Sequence, residues 1–402
     1  MRAPPTRPWH RAVVAAVMLV LAATTLPGLR THANPHHFDM AGALLRGSVW
    51  IENPTTTNDL GQADGRWYSP FPPLPAFVAA GAMVVSTHPN LVYNLTVLFA
   101  ALAAVALAWR TGRRLGGPAA GAWSAVAIGL GTGVWTATVL HDTYHSAHVF
   151  AVLGVLGAIS VVTGARPHWW LGGLLIGLAA LARQPVILGA PFLVFLHGRG
   201  PKTPRSRAAA AVLLAAALPF SAYLALNMAR FGTPFATGYG EIRHAPEIER
   251  DVVAHGAFSL SYVPRNIRTM LAATPHLISR LPLVLPDPRG LSLLIVSPWV
   301  VLALIPLLKP DRPAARRTAG ACALAALAIS VPHLLYVNSG WAQFGYRFSL
   351  DETPFLLVGA VLAVRRLLPR VSWLVASWSG AVQLWGYVMV MTWARWSSLL
   401  PG

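Results

Sequence analysis

Charge is scarce in this sequence. Only 11% of its 402 residues are Asp, Glu, Lys or Arg, against roughly 25% in a soluble domain. The deficit recurs in block after block, which excludes a soluble protein with one greasy tail. Lysine is almost missing, with Lys202 and Lys309 alone. Acids are few as well: 13, against 31 bases, for a net charge of +18. In a soluble protein that excess would suggest nucleic acid. Membrane proteins gather their bases in cytoplasmic loops instead, so the excess reads as topology and no nucleic-acid partner is expected. The single cysteine, Cys322, lies in an apolar run. It excludes an intrachain disulfide and a Cys-based metal site and reads as a buried, inert thiol. No internal repeat is visible, which disfavours transporters built from duplicated halves.

What is abundant is apolar sequence, at 55% of residues and a mean hydropathy of +0.54. A spanning helix needs about 20 mostly apolar residues. Eleven stretches qualify, near 12–29, 91–109, 118–140, 146–163, 168–182, 185–198, 207–226, 291–308, 317–336, 353–365 and 371–393. The two between 168 and 198 are short and divided by Arg183-Gln184-Pro185. The expected fold class is an all-α polytopic membrane protein, a single transmembrane domain over 1–402. Two large extracytoplasmic loops, 30–90 and 227–290, and short interfacial helices complete it. With a cytoplasmic N-terminus, the inner segments collect 18 bases and one acid, Asp311. The bases include Arg2, Arg7 and Arg11, Arg110–Arg114, Arg199 and Lys202, and Arg365, Arg366 and Arg370. That asymmetry is the positive-inside pattern and implies a plasma (inner) membrane protein. The first helix reads as a retained anchor rather than a signal peptide, since its apolar run is long for a signal. Phe71–Val85 holds Pro72, Pro73 and Pro75 and would invert the later loops if it crossed. It is expected to be interfacial or re-entrant.

Most acids and unusual polar residues fall on the outer side, so a reaction site is expected there. Asp39 opens a short amphipathic segment with apolar residues at 40, 44 and 45. Its carboxylate suits catalysis and also suits a helix N-cap. Arg66 and Tyr68 sit in Gly65-Arg66-Trp67-Tyr68-Ser69-Pro70, where the aromatics also suit an interfacial anchor. His141, His145 and His148 would share one helical face. With Asp142, His141 and His145 could ligate a divalent cation, or they are simply surface histidines. Arg183, at a membrane boundary, faces a cavity or snorkels to the interface. Tyr346 and Arg347 lie in an 18-residue bridge, 338–355, rich in Gly and aromatics. Arg347 could pair with Asp351 four residues on or clamp a phosphate.

Taken together, these segments resemble the GT-C superfamily of polyprenyl-phosphate-sugar-dependent membrane glycosyltransferases, such as protein mannosyltransferases and the aminoarabinose transferases of lipid A. The resemblance is carried by Asp39 with Leu44-Leu45-Arg46-Gly47 after it, and by Tyr68-Ser69-Pro70-Phe71-Pro72-Pro73-Leu74-Pro75. The Arg110–Gly117 loop, Arg183-Gln184-Pro185 and Phe344-Gly345-Tyr346-Arg347-Phe348 complete it. It implies transfer of a sugar from a polyprenyl phosphate to a hydroxyl on a glycan, lipid or protein, with Asp39 as base or acceptor anchor. Asp142 would be the second acid of the family layout. The cations Arg183 and Arg347 would stabilise the leaving phosphate. Trp67, Tyr68, Trp341 and Tyr346 would line the sugar or lipid groove. A divalent cation is optional in that superfamily. Asp39 departs from the family pattern in not belonging to an Asp-Glu pair. Three other classes remain open, one of them a non-catalytic membrane scaffold. A ligase or polymerase of lipid-linked glycans would use Arg243 and His244, and a glycolipid transporter or flippase would show mid-membrane charges and repeat symmetry.

Overall fold

The computed structural model describes residues 7–196, 204–309, 312–364 and 369–400. Arg2, Arg199, Lys202, Asp311, Arg365 and Arg366, used above for sidedness, lie outside these residues, as do the ends of the segments 185–198 and 353–365.

Proline positions mark where helices begin. A proline at the first or second position opens α1 (Pro8–Thr25), α2 (Pro35–Leu45), α3 (Leu74–Val85), α4 (Pro89–Gly116) and α5 (Pro118–Gly129). There its missing N–H costs no hydrogen bond and its fixed φ suits the turn. The chain continues through α6 (Val134–Leu140), α7 (Thr143–Val162) and α8 (Trp169–Ala180), then a 3-10 helix, Gln184–Phe195, and α9 (Arg205–Phe231). Gly117, at φ 93°, turns α4 into α5 in a conformation that disfavours a side chain.

The second large loop carries α10 (Pro246–His255) and α11 (Val263–Ala272). Short turns α12 (Leu293–Val296) and α13 (Ile305–Leu308) flank a 3-10 helix, Pro298–Leu304. The long α14 (Pro313–Leu335), then α15 (Thr353–Val364) and α16 (Pro369–Met391), follow. Two small antiparallel hairpins decorate the loops. One joins 61–63 to 66–68, pairing Gly61 with Tyr68, and the other pairs His276 with Leu285.

Each of the eleven apolar stretches carries helix among the described residues. Among the described residues α1, α4, α7, α9, α14 and α16 are long and apolar enough to cross a membrane. The pair α5 and α6, bent by 45°, forms a seventh if read as one broken span. The remaining apolar helices, Trp169–Ala180, Gln184–Phe195, Pro298–Leu308 and Thr353–Val364, are shorter. α3 is 12 residues long, about 18 Å at 1.5 Å per residue, less than the ~30 Å hydrocarbon core.

Bilayer interiors leave no water for free backbone groups, so the α5–α6 break must satisfy its own. The Ser297 hydroxyl and the Trp299 indole N–H both donate to the Gly131 carbonyl, at 2.7 and 3.0 Å. Helices α8 and α9 approach through glycine. A Cβ on Gly173 would lie 2.2 Å from the Val212 carbonyl oxygen, and one on Gly177 2.4 Å from that of Ala216. Small residues at such crossings give the close packing that drives association in lipid.

Candidate active site

At the end of the bundle where α6 meets α7, the loops enclose a cavity of about 640 Å³. Its walls come from α2, the turn before the first hairpin, the start of α7, the Arg183 turn, α9, the second large loop and the 338–348 bridge. The charged groups that line it are Asp59, Asp142, Arg183 and Arg347. Its other wall is apolar and includes Ile187, Leu188, Phe220 and Leu224, residues of the 184–195 helix and of the bilayer-length α9.

Asp59 escapes sequence reasoning. It sits at φ 57°, a left-handed conformation that Asp and Asn tolerate better than most residues. Three ties hold it. The His36 ring nitrogen is 2.7 Å from the Asn58 carbonyl, and the Arg243 N–H donates to Leu60, 3.1 Å. The Tyr144 hydroxyl donates to Asp59 Oδ2 at 2.6 Å. Oδ1 takes no hydrogen bond from this set. The signal in the sequence is the turn-forming Asn58-Asp59 pair just before the Gly61–Tyr68 hairpin.

Asp142 caps α7. Its Oδ1 accepts from the His145 N–H at 2.8 Å, and both oxygens lie within 2.9 Å of His145 Nδ1. Burial alone would raise this carboxyl; the His145 contacts and the Arg347 charge outweigh it and hold the group below its usual range.

Arg347 places its guanidinium 5.5 Å from the Tyr144 ring and 5.2 Å from the Phe348 ring. Nη1 donates to the Trp341 carbonyl at 3.1 Å, while Nε is buried without a partner among the described residues. It does not pair with Asp351. Residues 347–350 form a 3-10 turn, and its tighter winding spoils the i, i+4 alignment of an α-helix. Asp351 instead points into the protein, fully buried. It holds His148 Nδ1 at 2.7 Å, Arg183 Nε at 3.0 Å and His333 Nε2 at 3.1 Å. Burial would raise its carboxyl, but Arg183, His148 and His333 hold it well below the usual carboxylate range. The effect is to fix Arg183, whose guanidinium lies 5.3 Å from the Phe348 ring, at the cavity edge.

Other sequence candidates lie elsewhere. Asp39 does not line the cavity. It stands one turn inside α2, whose N-cap is Asn34, so it is not the cap either. Its carboxylate accepts from the Thr55 N–H (2.8 Å) and hydroxyl (2.6 Å), clamping the following loop. Arg66 is exposed, 5.9 Å from the Trp50 ring. Tyr68 is fully buried and donates to the Gly238 carbonyl at 2.7 Å. Tyr346 is buried behind Phe348, with ring centroids 5.5 Å apart.

The histidines do not converge. His141 ends α6 at φ 52°, so 141 and 145 belong to different helices, and its Nε2 lies 3.3 Å from the Thr25 carbonyl. Among the described residues no three His, Cys, Asp or Glu side chains come together as a metal site, so His141, Asp142 and His145 do not form one. Arg243 and His244 line a separate open groove.

No protein-family model matches the sequence, and no curated protein matches it by sequence. Its architecture does match solved structures. ArnT from Cupriavidus metallidurans, a GT-C aminoarabinose transferase solved with undecaprenyl phosphate, superposes with a TM-score of 0.55 at 15% identity, over 95% of this chain and 63% of ArnT. The chain has the GT-C fold. The oligosaccharyltransferase of Archaeoglobus fulgidus gives a TM-score of 0.50 at 12% identity, over 96% of this chain and 54% of that one. The archaeal AglB complex with an inhibitory peptide and dolichol phosphate gives the same values. This chain spans under two thirds of the length of each neighbour. Both neighbours are glycosyltransferases that work in membranes.

Proposed function

We propose that this chain transfers a sugar from a polyprenyl-phosphate donor to a hydroxyl acceptor at the extracytoplasmic face of the plasma membrane. One observation carries the reading. A single cavity joins a carboxylate, Asp59, whose Oδ1 takes no hydrogen bond among the described residues, to two guanidinium groups, Arg183 and Arg347, and runs into an apolar wall formed by the 184–195 helix and the bilayer-length α9. A lipid-linked sugar phosphate needs that combination. The prenyl chain lies against the apolar wall and the phosphate against the arginines. Undecaprenyl phosphate and dolichol phosphate in the two structural neighbours support such a donor.

The chemistry follows. The acceptor oxygen attacks the anomeric carbon and forms the new C–O bond. The bond from that carbon to the phosphate oxygen breaks, and its electrons leave with the polyprenyl phosphate. Asp59 Oδ1 takes the hydroxyl proton, and Arg347, whose Nε–H has no partner among the described residues, and Arg183 stabilise the growing phosphate charge. Asp39, the acid expected from the sequence, would in this reading only hold the loop that precedes Asp59. The test is release of polyprenyl phosphate from a panel of polyprenyl-phosphate sugars by the purified chain. The reading expects turnover by the wild type and its loss in Arg347→Ala. No turnover by the wild type with any donor and a hydroxyl acceptor would sink it.

A further inference from the structure

The cavity lining includes a histidine that neither the sequence reading nor the proposed reaction uses. His37, on α2, is 1% exposed and lines the cavity. Its Nδ1 lies 2.9 Å from the Tyr93 hydroxyl. That hydroxyl is 3.0 Å from Ser146 Oγ, and Ser146 Oγ donates to Asn34 Oδ1 at 3.3 Å.

The direction of this chain can be worked out from its end. An amide oxygen only accepts. The one Ser146 hydroxyl proton therefore goes to Asn34, and Ser146 must accept from Tyr93. The one Tyr93 proton is then committed, so Tyr93 must accept from His37. The His37 proton sits on Nδ1, and Nε2 carries a bare lone pair. Nε2 is buried and has no partner among the described residues. Burial pushes the ring pKa down to about 3, so the ring is neutral at working pH. Thr143 Oγ1, also buried and unpartnered, lines the same cavity.

We propose that His37 Nε2 is a recognition point for a sugar hydroxyl, fixed as an acceptor by the Tyr93–Ser146–Asn34 chain, with Thr143 Oγ1 a second unpartnered polar atom on a residue of the same cavity. The inference rests on the sugar-transfer reading and deepens it. Buried polar atoms that wait for a partner discriminate strongly, because a ligand lacking the matching group leaves them unpaired. The hydroxyl belongs either to the donor sugar or to the acceptor.

Two variants separate recognition from packing. His37→Asn keeps a group near Nδ1 for Tyr93 and removes the acceptor at Nε2. His37→Gln reaches the Nε2 position with an amide oxygen and gives up the Tyr93 bond. Binding to the detergent-purified full chain is measured with bare polyprenyl phosphate and with polyprenyl-phosphate-linked hexoses and pentoses, each without acceptor. The acceptor KM is then measured in the transfer assay. We expect His37→Asn to weaken the preferred sugar-lipid about tenfold to a hundredfold, with bare polyprenyl phosphate unchanged, and His37→Gln to stay within about threefold. If donor binding holds and the acceptor KM rises by that factor instead, the hydroxyl is the acceptor's. Equal behaviour of His37→Asn and wild type in both assays overturns the proposal, as does equal loss in both variants. Should His37→Asn not fold, Tyr93→Phe replaces it. That variant leaves the ring in place but frees the tautomer, and unchanged sugar affinity there overturns the proposal. Failure of the wild type to bind any sugar-lipid better than bare polyprenyl phosphate counts instead against sugar transfer itself, and the inference falls with it.

Discussion

Asp59→Asn is the substitution that most directly separates the geometry from the sequence expectation. Asn keeps a carbonyl oxygen for the Tyr144 hydroxyl, now 2.6 Å from Oδ2, and it tolerates the left-handed backbone at φ 57°. Folding stability should therefore change by less than about 1 kcal/mol. The proton acceptor is gone, however, and a positioned general base contributes typically 10²–10⁴-fold. The expected result is a kcat lower by about that factor, with donor affinity within about threefold. Asp39→Asn supplies the contrast. It forfeits one of the two Thr55 hydrogen bonds, at a cost of about 1–2 kcal/mol, and should leave the rate within about threefold. The assay is initial-rate sugar transfer by purified protein, with thermal unfolding followed in parallel. A fast Asp59→Asn together with a slow, well-folded Asp39→Asn would refute the assignment and return the base to Asp39.

Other outcomes follow from the same contacts. Asp351→Asn removes the counter-charge of the partly buried Arg183, and losing one partner of a fully buried pair costs about 3–5 kcal/mol, an upper bound here; the check is detergent thermal unfolding, where restored stability in Arg183→Met/Asp351→Leu would support the pairing. Arg347→Lys keeps the charge but loses the planar fork, so lipid-phosphate affinity should fall about tenfold in a binding titration rather than be retained. Glu352 gives a pH signature, because burial and the neighbouring Asp351 charge push its carboxyl up to about 8. Between the ordinary value of 4.5 and 8 the unfolded chain loses this proton while the folded chain keeps it. Stability should then fall as pH rises through that window, by up to about 1.4 kcal/mol per unit, and Glu352→Gln should flatten the slope. Gly173→Leu puts a side chain where a Cβ alone would lie 2.2 Å from the Val212 carbonyl oxygen; α8 and α9 should separate, seen as loss of folded protein by size-exclusion chromatography.

Much of the architecture was legible because it is local. The length of an apolar run and the lack of charge within it mark a segment as a bilayer helix, and among the described residues each of the eleven stretches carries helix, six of these helices being long enough to span and a seventh forming if the bent α5–α6 pair is one span. The break at Arg183-Gln184-Pro185 was equally legible, since the helix before it stops at Ala180 and a 3-10 helix begins at Gln184. Arg183 was legible as a charge at the edge of an apolar run, Asp142 from the histidines around it, and Arg347 from the Gly- and aromatic-rich 338–355 bridge, and all three line the cavity. Three readings failed because each misplaced a helix start or assumed α-helical winding where the backbone departs from it. Asp39 was taken as a cap, His141 was given a helical face with His145, and Arg347 was aligned with Asp351. For Asp39 the helix starts earlier, at Pro35, with Asn34 as the cap; for His141 a residue at positive φ, and for Arg347 a 3-10 turn, undoes the alignment.

The sequence by itself determined a charge-poor chain of bilayer helices with polar loops at the helix ends, since these properties rest on neighbours within one run. Only the tertiary structure decided which acid faces the cavity and which is spent on structure. Tyr144 comes to Asp59 from 85 residues away, Arg183 to Asp351 from 168, and His148 to Asp351 from 203. No pattern along the chain encodes contacts at those separations; they exist because the helices pack.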